Sequence, residues 1–85
     1  MMVVFEVRLM PGANPDGLIS EEVKGETGAQ VMTLDEARKA GFSGLPEAEG
    51  HEIRLIAVRK RDAPWIHRTL EASEAVAGFR VHEVD

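Results

Sequence analysis

Alternation of apolar and polar residues predicts three β-strands in this chain. Every second residue from Val3 to Leu9 is apolar, which is the period of a half-buried strand. Residues 51–60 carry apolar side chains on both sides, a pattern that suits a central strand. The alternation returns near the end of the sequence. These patterns predict strands at 3–9, 51–60 and 79–84.

Two segments carry the start and stop signals of helices. Thr33 and the acidic residue three positions later form a capping-box pattern, and Gly41 suits the left-handed conformation that ends a helix. Further along, Asp62 offers a capping carboxylate just before Pro64 in a first helical turn. Apolar residues then recur at helical spacing as far as Val76. The sequence therefore predicts helices at 33–40 and 64–76.

The pattern between Leu18 and Met32 is the weakest in the chain. Ile19 and Val23 suggest short extended pieces, and they precede a turn-like segment at 24–28 that contains two glycines. We interpret this region as a weak hairpin that adds strands at 18–24 and 28–32 to the sheet, or else as a loop.

Together these elements predict a single α+β domain over residues 1–85. Segments rich in proline and glycine predict loops at 11–17 and 43–50. The strand at 51–60, the helix after it and the strand at 79–84 follow the order of a βαβ unit. The plan loosely resembles the ferredoxin-like fold, with a sheet of three to five strands and both predicted helices packed on one face.

The composition is close to that of an average globular protein. Hydrophobic residues make up 44% of the chain and charged residues 29%, which argues against intrinsic disorder. The absence of cysteine excludes disulfides and thiolate metal sites. Apolar runs are far shorter than the roughly 20 residues that cross a bilayer, so we expect a cytoplasmic protein with no membrane partner.

The net charge of −5 is unevenly distributed along this acidic chain. Residues 1–50 hold four Lys and Arg against nine Asp and Glu, whereas residues 51–85 hold six of each. The overall sign argues against nucleic acid as a partner, because that affinity depends on contacts between basic residues and phosphates. Acidic residues such as Glu21 and Glu22 could face a basic protein partner, although a solvated surface explains them as well.

One local basic cluster is a candidate site for an anionic ligand. Arg59, Lys60 and Arg61 end a predicted strand just before a helix begins, where an anion can be held. His67 on that helix, or His82 in the last strand, could complete the site. A solvated strand end accounts for the same charges without any ligand.

Signals for catalysis or metal binding are weak. His67 and Glu71 are spaced to meet on a helix and could act as a base, but on a solvent-facing side such a pair is ordinary surface chemistry. His51 and His82 with nearby acids could form a zinc ligand set, although no tight spacing supports one. The loop at 12–17 echoes a calcium loop but lacks its first acidic ligand. The sequence predicts no catalytic residue, no metal and no cofactor.

The leading hypothesis for function is a non-enzymatic regulatory or interaction module that binds a protein partner or a second copy of itself. An open sheet edge is a ready pairing surface, and a homodimer is one way to use it. Trp65 at the start of the second helix is a candidate anchor for a partner, with core packing as its other interpretation. The alternative is a small domain or enzyme that binds an anionic molecule with the basic cluster and a histidine.

Overall fold

A computed structural model of the chain describes residues 1–41 and 52–84. This part of the chain forms four β-strands and three α-helices, and short 3-10 turns precede α1 and α3. The elements in chain order are β1 (Met2–Leu9), α1 (Glu21–Thr27), β2 (Gln30–Met32), α2 (Leu34–Lys39), β3 (Ile53–Arg59), α3 (Ala63–Glu71) and β4 (Val76–Val84).

The strands form one antiparallel sheet in the order β2-β3-β1-β4. β1 is central and pairs on both sides, with β3 and with β4. Because β3 and β4 are both antiparallel to β1, they run parallel to each other with β1 inserted between them. The predicted βαβ unit is therefore a split one, and the α+β class with a small sheet is confirmed. The prediction that β3 is a central strand is also confirmed.

The larger core lies on the side of the sheet that α3 covers, which we call the α3 face. One side of β1 meets Ile66 and Leu70 of α3 there, and all of these side chains are buried. Burying one large aliphatic side chain contributes about 1.5–3 kcal/mol, so this face holds most of the packing energy. The sheet residues of this core are Val3, Phe5, Val7, Leu9, Ile56 and Val58.

A smaller core occupies the other side of the sheet, the α2 face. Val4, Leu55 and Ala57 are buried there against Ala37 of α2. The prediction that both helices pack on one face is therefore wrong. β3 is apolar on both sides and β1 adds Val4 on this one, so both faces of the sheet need a cover, and α2 supplies part of the second one.

The strand predicted at 18–24 is also wrong, because α1 occupies that region. Ser20 caps the helix by accepting from the Val23 amide at 3.2 Å, and two glutamates in the first turn complement the helix dipole. Leu18 and Ile19 are buried in the larger core just before the helix begins. The second predicted strand, at 28–32, is confirmed in shorter form as β2.

The helix predicted at 33–40 is confirmed as α2. Its capping box is formed, because the Glu36 amide donates to Thr33 Oγ1 at 3.1 Å and the Thr33 amide donates to Glu36 Oε1 at 3.1 Å. Gly41 follows with a φ of 95°, which a side-chain-bearing residue rarely adopts. The predicted loop at 43–50 and His51 lie outside the described residues.

The boundary between α3 and β4 lies several residues before the predicted one. The helix predicted at 64–76 ends at Glu71, and the strand predicted at 79–84 begins at Val76. A turn built on the Ser73 side chain, which accepts from the Ala75 amide at 3.3 Å, separates the two elements. Pairing with β1 thus takes residues that the helical spacing had assigned to α3.

Candidate interaction surface beside the outer strand

β4 is the long edge strand of the sheet. It pairs with β1 along Met2–Leu9, and the sheet order places no described strand on its other side. The opposite edge is β2, which is only three residues long. A long edge exposes a row of unpaired backbone amides and carbonyls that another strand can join, whereas a very short edge offers little.

An apolar groove of about 480 Å³ lies on the α3 face between α3 and β4. Its floor is formed by Val3 and Phe5 of β1, and Ala63 and Pro64 of α3 form one side. Val81 of β4 borders the groove and is 47% exposed. The groove thus runs beside the open edge of the sheet.

His67 is part of this groove. Its ring meets Phe79 edge-on, with centroids 5.1 Å apart, and lies 6.5 Å from the ring of Phe5. The prediction that His67 faces solvent is therefore only partly right, since its ring packs against the sheet while 45% of the side chain stays exposed.

The predicted contact between His67 and Glu71 is present. His67 Nδ1 lies 2.8 Å from Glu71 Oε1. With Nδ1–H donating to the carboxylate, Nε2 of the neutral ring is left as an acceptor. The pair fixes the orientation of the imidazole beside the groove, but among the described residues no serine or threonine lines the groove with it. The arrangement can position a polar contact; it does not form a nucleophile and base.

Neighbouring carboxylates neutralise the basic cluster at the end of β3 only in part, because its three cations face two acids, Asp62 and Glu83. Arg59 and Arg61 both approach Asp62, at 2.9 and 3.8 Å. Lys60 Nζ lies 3.2 Å from Glu83 Oε1 of β4. Among the three, only Lys60 lines the groove, and there it joins His67. The structure thus brings together Lys60 and His67 but does not gather the whole predicted anion site.

His82 lies on the α2 face of β4, away from the groove. Its Nε2 is 3.1 Å from Oε1 of Glu6, a carboxylate on β1 whose side chain is only 7% exposed. The imidazole therefore serves as the partner of a buried acid. His82 and the groove residues Lys60 and His67 lie on opposite faces of the sheet. They therefore do not form the shared ligand site that was one of the predicted alternatives.

Two arginines beside β4 were not singled out by the sequence. Arg80 is exposed on the α2 face, and the guanidinium of Arg8 lies over Gly78 on the same face. A Cβ at Gly78 would lie 3.1 Å from Arg8 Nη2, so glycine makes room for that side chain. Neither arginine forms an ion pair within the described part of the chain. Strand alternation placed each arginine on one side of its own strand, but only the register shows that they share a face and are neighbours.

The remaining predicted partner-binding residues lie elsewhere. Trp65 is half-buried at the start of α3 and belongs to neither core cluster. Glu21 and Glu22 are exposed in the first turn of α1, where Glu21 pairs with Lys24 at 3.4 Å. None of these three side chains lines the groove.

Metal ligands do not gather in the described residues. No three His, Asp or Glu side chains there lie close enough to hold an ion. His51, one of the two histidines considered as zinc ligands, lies outside the described ranges, and so does the acidic residue Asp85. Within residues 1–41 and 52–84, no helix is long and apolar enough to cross a membrane.

No protein-family model matches the sequence, and no curated protein matches it at a significant level. The geometry around β4 is therefore the basis for inferring the function.

Proposed function

We propose that the chain is a non-enzymatic interaction module that binds an extended segment of a protein along the free edge of β4. The observation that supports this proposal is the combination of a nine-residue edge strand and an apolar groove beside it. In strand addition, main-chain hydrogen bonds supply affinity and adjacent pockets for alternate side chains supply specificity.

The side chains on the α3 face of β4 suit this mode of binding. Phe79 is half-buried against Phe5 at a centroid distance of 6.0 Å, so it gives the edge a rigid apolar base. Val81, two residues further along, remains largely uncovered. Every second side chain of an added strand would point to the α3 face, beside Val81 and Pro64. Apolar side chains there would be removed from water, which favours binding.

Site-directed photo-crosslinking tests the proposal. A photo-reactive side chain placed at Val81 should trap a protein partner in the cells that naturally produce the chain. The matched control places the same group at Gln30, which is exposed on the opposite edge strand. Equal yields at the two positions, or no adduct at Val81, would contradict strand addition at β4.

A second candidate function is the binding of a small anionic ligand in the same groove. Lys60, His67 and Arg68 all line it around an apolar floor. Its volume falls within the range of about 300–1,000 Å³ that ligand pockets occupy. Thermal denaturation with phosphate, nucleotides and aromatic carboxylates tests this candidate, because a ligand specific to the folded state must raise the Tm. An unchanged Tm at millimolar ligand would argue against it.

Self-association along β4 is the homodimer form of the first proposal. Sedimentation velocity over a wide concentration range tests it directly, since a dimer would appear as a concentration-dependent faster species. A monomer throughout would leave a different protein as the partner. The cytoplasmic location stays a prediction from the sequence.

A further inference from the structure

We infer that the segment bound along β4 belongs to a different protein and alternates apolar with acidic residues. This inference rests on the proposed strand addition at β4 and specifies the chemistry of the partner. It follows from the contrast between the two faces of β4, one apolar and one basic. A strand added to β4 would contact both faces at once, because its successive side chains point to opposite sides.

On the α2 face of β4, acidic residues of the bound segment would find complementary charge. Arg80 points to this face, and Arg8 lies beside it over Gly78. Both guanidiniums lack an ion pair among the described residues, whereas Glu6, the nearest acid in register, is held by His82 at 3.1 Å. A carboxylate on an added strand would lie directly across from Arg80, and opposite charges at such positions stabilise a strand pair.

On the α3 face, apolar residues of the bound segment would find complementary surface. Val81 and the groove beside it present apolar surface, and the acid at its end, Glu83, is already paired with Lys60 at 3.2 Å. Arg68 also lines the groove and forms no ion pair within residues 1–41 and 52–84. Side chains of the added strand on this face would therefore meet apolar surface with a basic, not an acidic, rim.

A second copy of the chain does not supply this pattern. Two β4 strands related by a two-fold axis keep their faces aligned, so the α2 face of one meets the α2 face of the other. On that face β4 offers Gly78, Arg80 and His82, without a carboxylate. The other edge strand, β2, offers Gln30 and Met32 there. Neither β4 nor β2 of a second copy therefore provides a carboxylate for Arg80 on this face.

Four labelled nine-residue peptides, blocked at both ends, test the inference by fluorescence anisotropy with the full chain. The first alternates valine and glutamate, the second alternates valine and lysine, and the third groups the valines and glutamates of the first into two blocks. The fourth has the sequence of β4, residues 76–84. We expect the first peptide to bind at least tenfold more tightly than the others, and to weaken as salt is added.

Substitution of Arg80 identifies the contact. Arg80→Gln should weaken binding of the valine–glutamate peptide about two- to fivefold, in line with the loss of one cross-strand charge pair. Arg38→Gln is the matched control, because Arg38 is an exposed arginine on α2 and remote from β4. It should leave the affinity unchanged. Equal losses for the two variants would contradict a specific role of Arg80.

The outcomes separate this inference from the proposed function. Equal binding of the lysine peptide, with β4 amides protected from hydrogen exchange, would overturn the acidic pattern but keep strand addition. Tighter binding of the β4 peptide would overturn it in favour of a second copy. If no peptide binds while Val81 still crosslinks to a partner, the inference fails alone; if both experiments are negative, the proposed function fails with it.

Discussion

The two edges of the sheet differ in length and in what lies beside them. β2 has three residues and is followed directly by the capped helix α2. β4 has nine residues, and the apolar groove lies along it. A very short edge strand is one way to protect a sheet from unwanted pairing, and β2 is such a strand. Within residues 1–41 and 52–84, nothing pairs with the outer side of the longer edge, and an apolar groove lies beside it, which suits a partner strand.

Charge also differs between the two sides of the molecule. The first turns of α1 and α2 carry Glu21, Glu22, Asp35 and Glu36, whereas Arg8, Arg68 and Arg80 lie near β4 without ion pairs among the described residues. The net charge of −5 therefore does not describe the surface around β4. A partner that meets this side responds to the local charge, because exposed charges more than about 10 Å away are screened at ordinary salt.

Truncation of Phe5 should have the largest effect on stability. Phe5 is 1% exposed and lies beneath the groove in contact with Phe79 and His67. Phe5→Ala should lower the free energy of unfolding by about 3–5 kcal/mol, and Phe5→Leu by less. On the β2 side, Leu34 is only half-buried, so Leu34→Ala should cost roughly 1–2 kcal/mol. Urea denaturation measures all three; equal losses at the two sides would contradict the difference in packing.

A charge at the β4 edge should weaken partner binding without unfolding the chain. Val81→Lys places an ammonium in the apolar surface beside the groove, so affinity for the valine–glutamate peptide should fall at least tenfold, or about 1.4 kcal/mol. Val81 is already 47% exposed, so the free energy of unfolding should change by less than about 0.5 kcal/mol. Gln30→Lys on the other edge should change neither quantity. Anisotropy and urea denaturation together check both statements.

Loss of the α2 cap should affect stability but not binding. Thr33→Ala removes the hydroxyl that accepts from the Glu36 amide, which should cost about 1 kcal/mol of unfolding free energy. Thr33→Ser keeps that hydrogen bond and serves as the control. Peptide affinity should be the same in both variants, because the cap follows β2 and lies apart from the groove. A change in affinity would show that the two edges are coupled.

The contact between His67 and Glu71 should have the smallest effect. Both side chains are substantially exposed, so Glu71→Gln should lower the free energy of unfolding by only about 0.3–0.5 kcal/mol. For a domain of this size, that corresponds to a fall in Tm of roughly 2–3 °C. Calorimetry measures the change. A loss of several kcal/mol would mean that this pair, and not the apolar core, holds α3 in place.

The sequence predicted those parts of the fold that depend on local pattern. Alternation located β1, β3 and most of β4, and the Thr33 capping box located α2. The region of α1 was misread because Gly25 looked like a turn, although a glycine at an exposed position within a helix costs only about 1 kcal/mol. The face on which α2 packs could not be read from the chain, because it depends on which strands are neighbours.

The candidate site was only partly predictable for the same reason. Lys60 and His67 were identified individually from their residue types, and the structure shows that they share a groove. The approach of Arg8 to Gly78 depends on the register between β1 and β4, two segments far apart in sequence. Helical spacing placed His67 on the solvent side of α3. Spacing within one helix could not show that β4 leaves part of the sheet beside α3 uncovered.

Chemical-shift mapping by NMR is the most direct test of β4 as the binding edge. Titration of the ¹⁵N-labelled chain with the valine–glutamate peptide should shift the backbone amides of β4 and of the α3 residues beside the groove. Amides of β2 at Gln30–Met32 should keep their positions. Shifts centred on β2, shifts confined to α1, or an unchanged spectrum at saturating peptide would contradict the assignment of β4 as the edge that binds a partner.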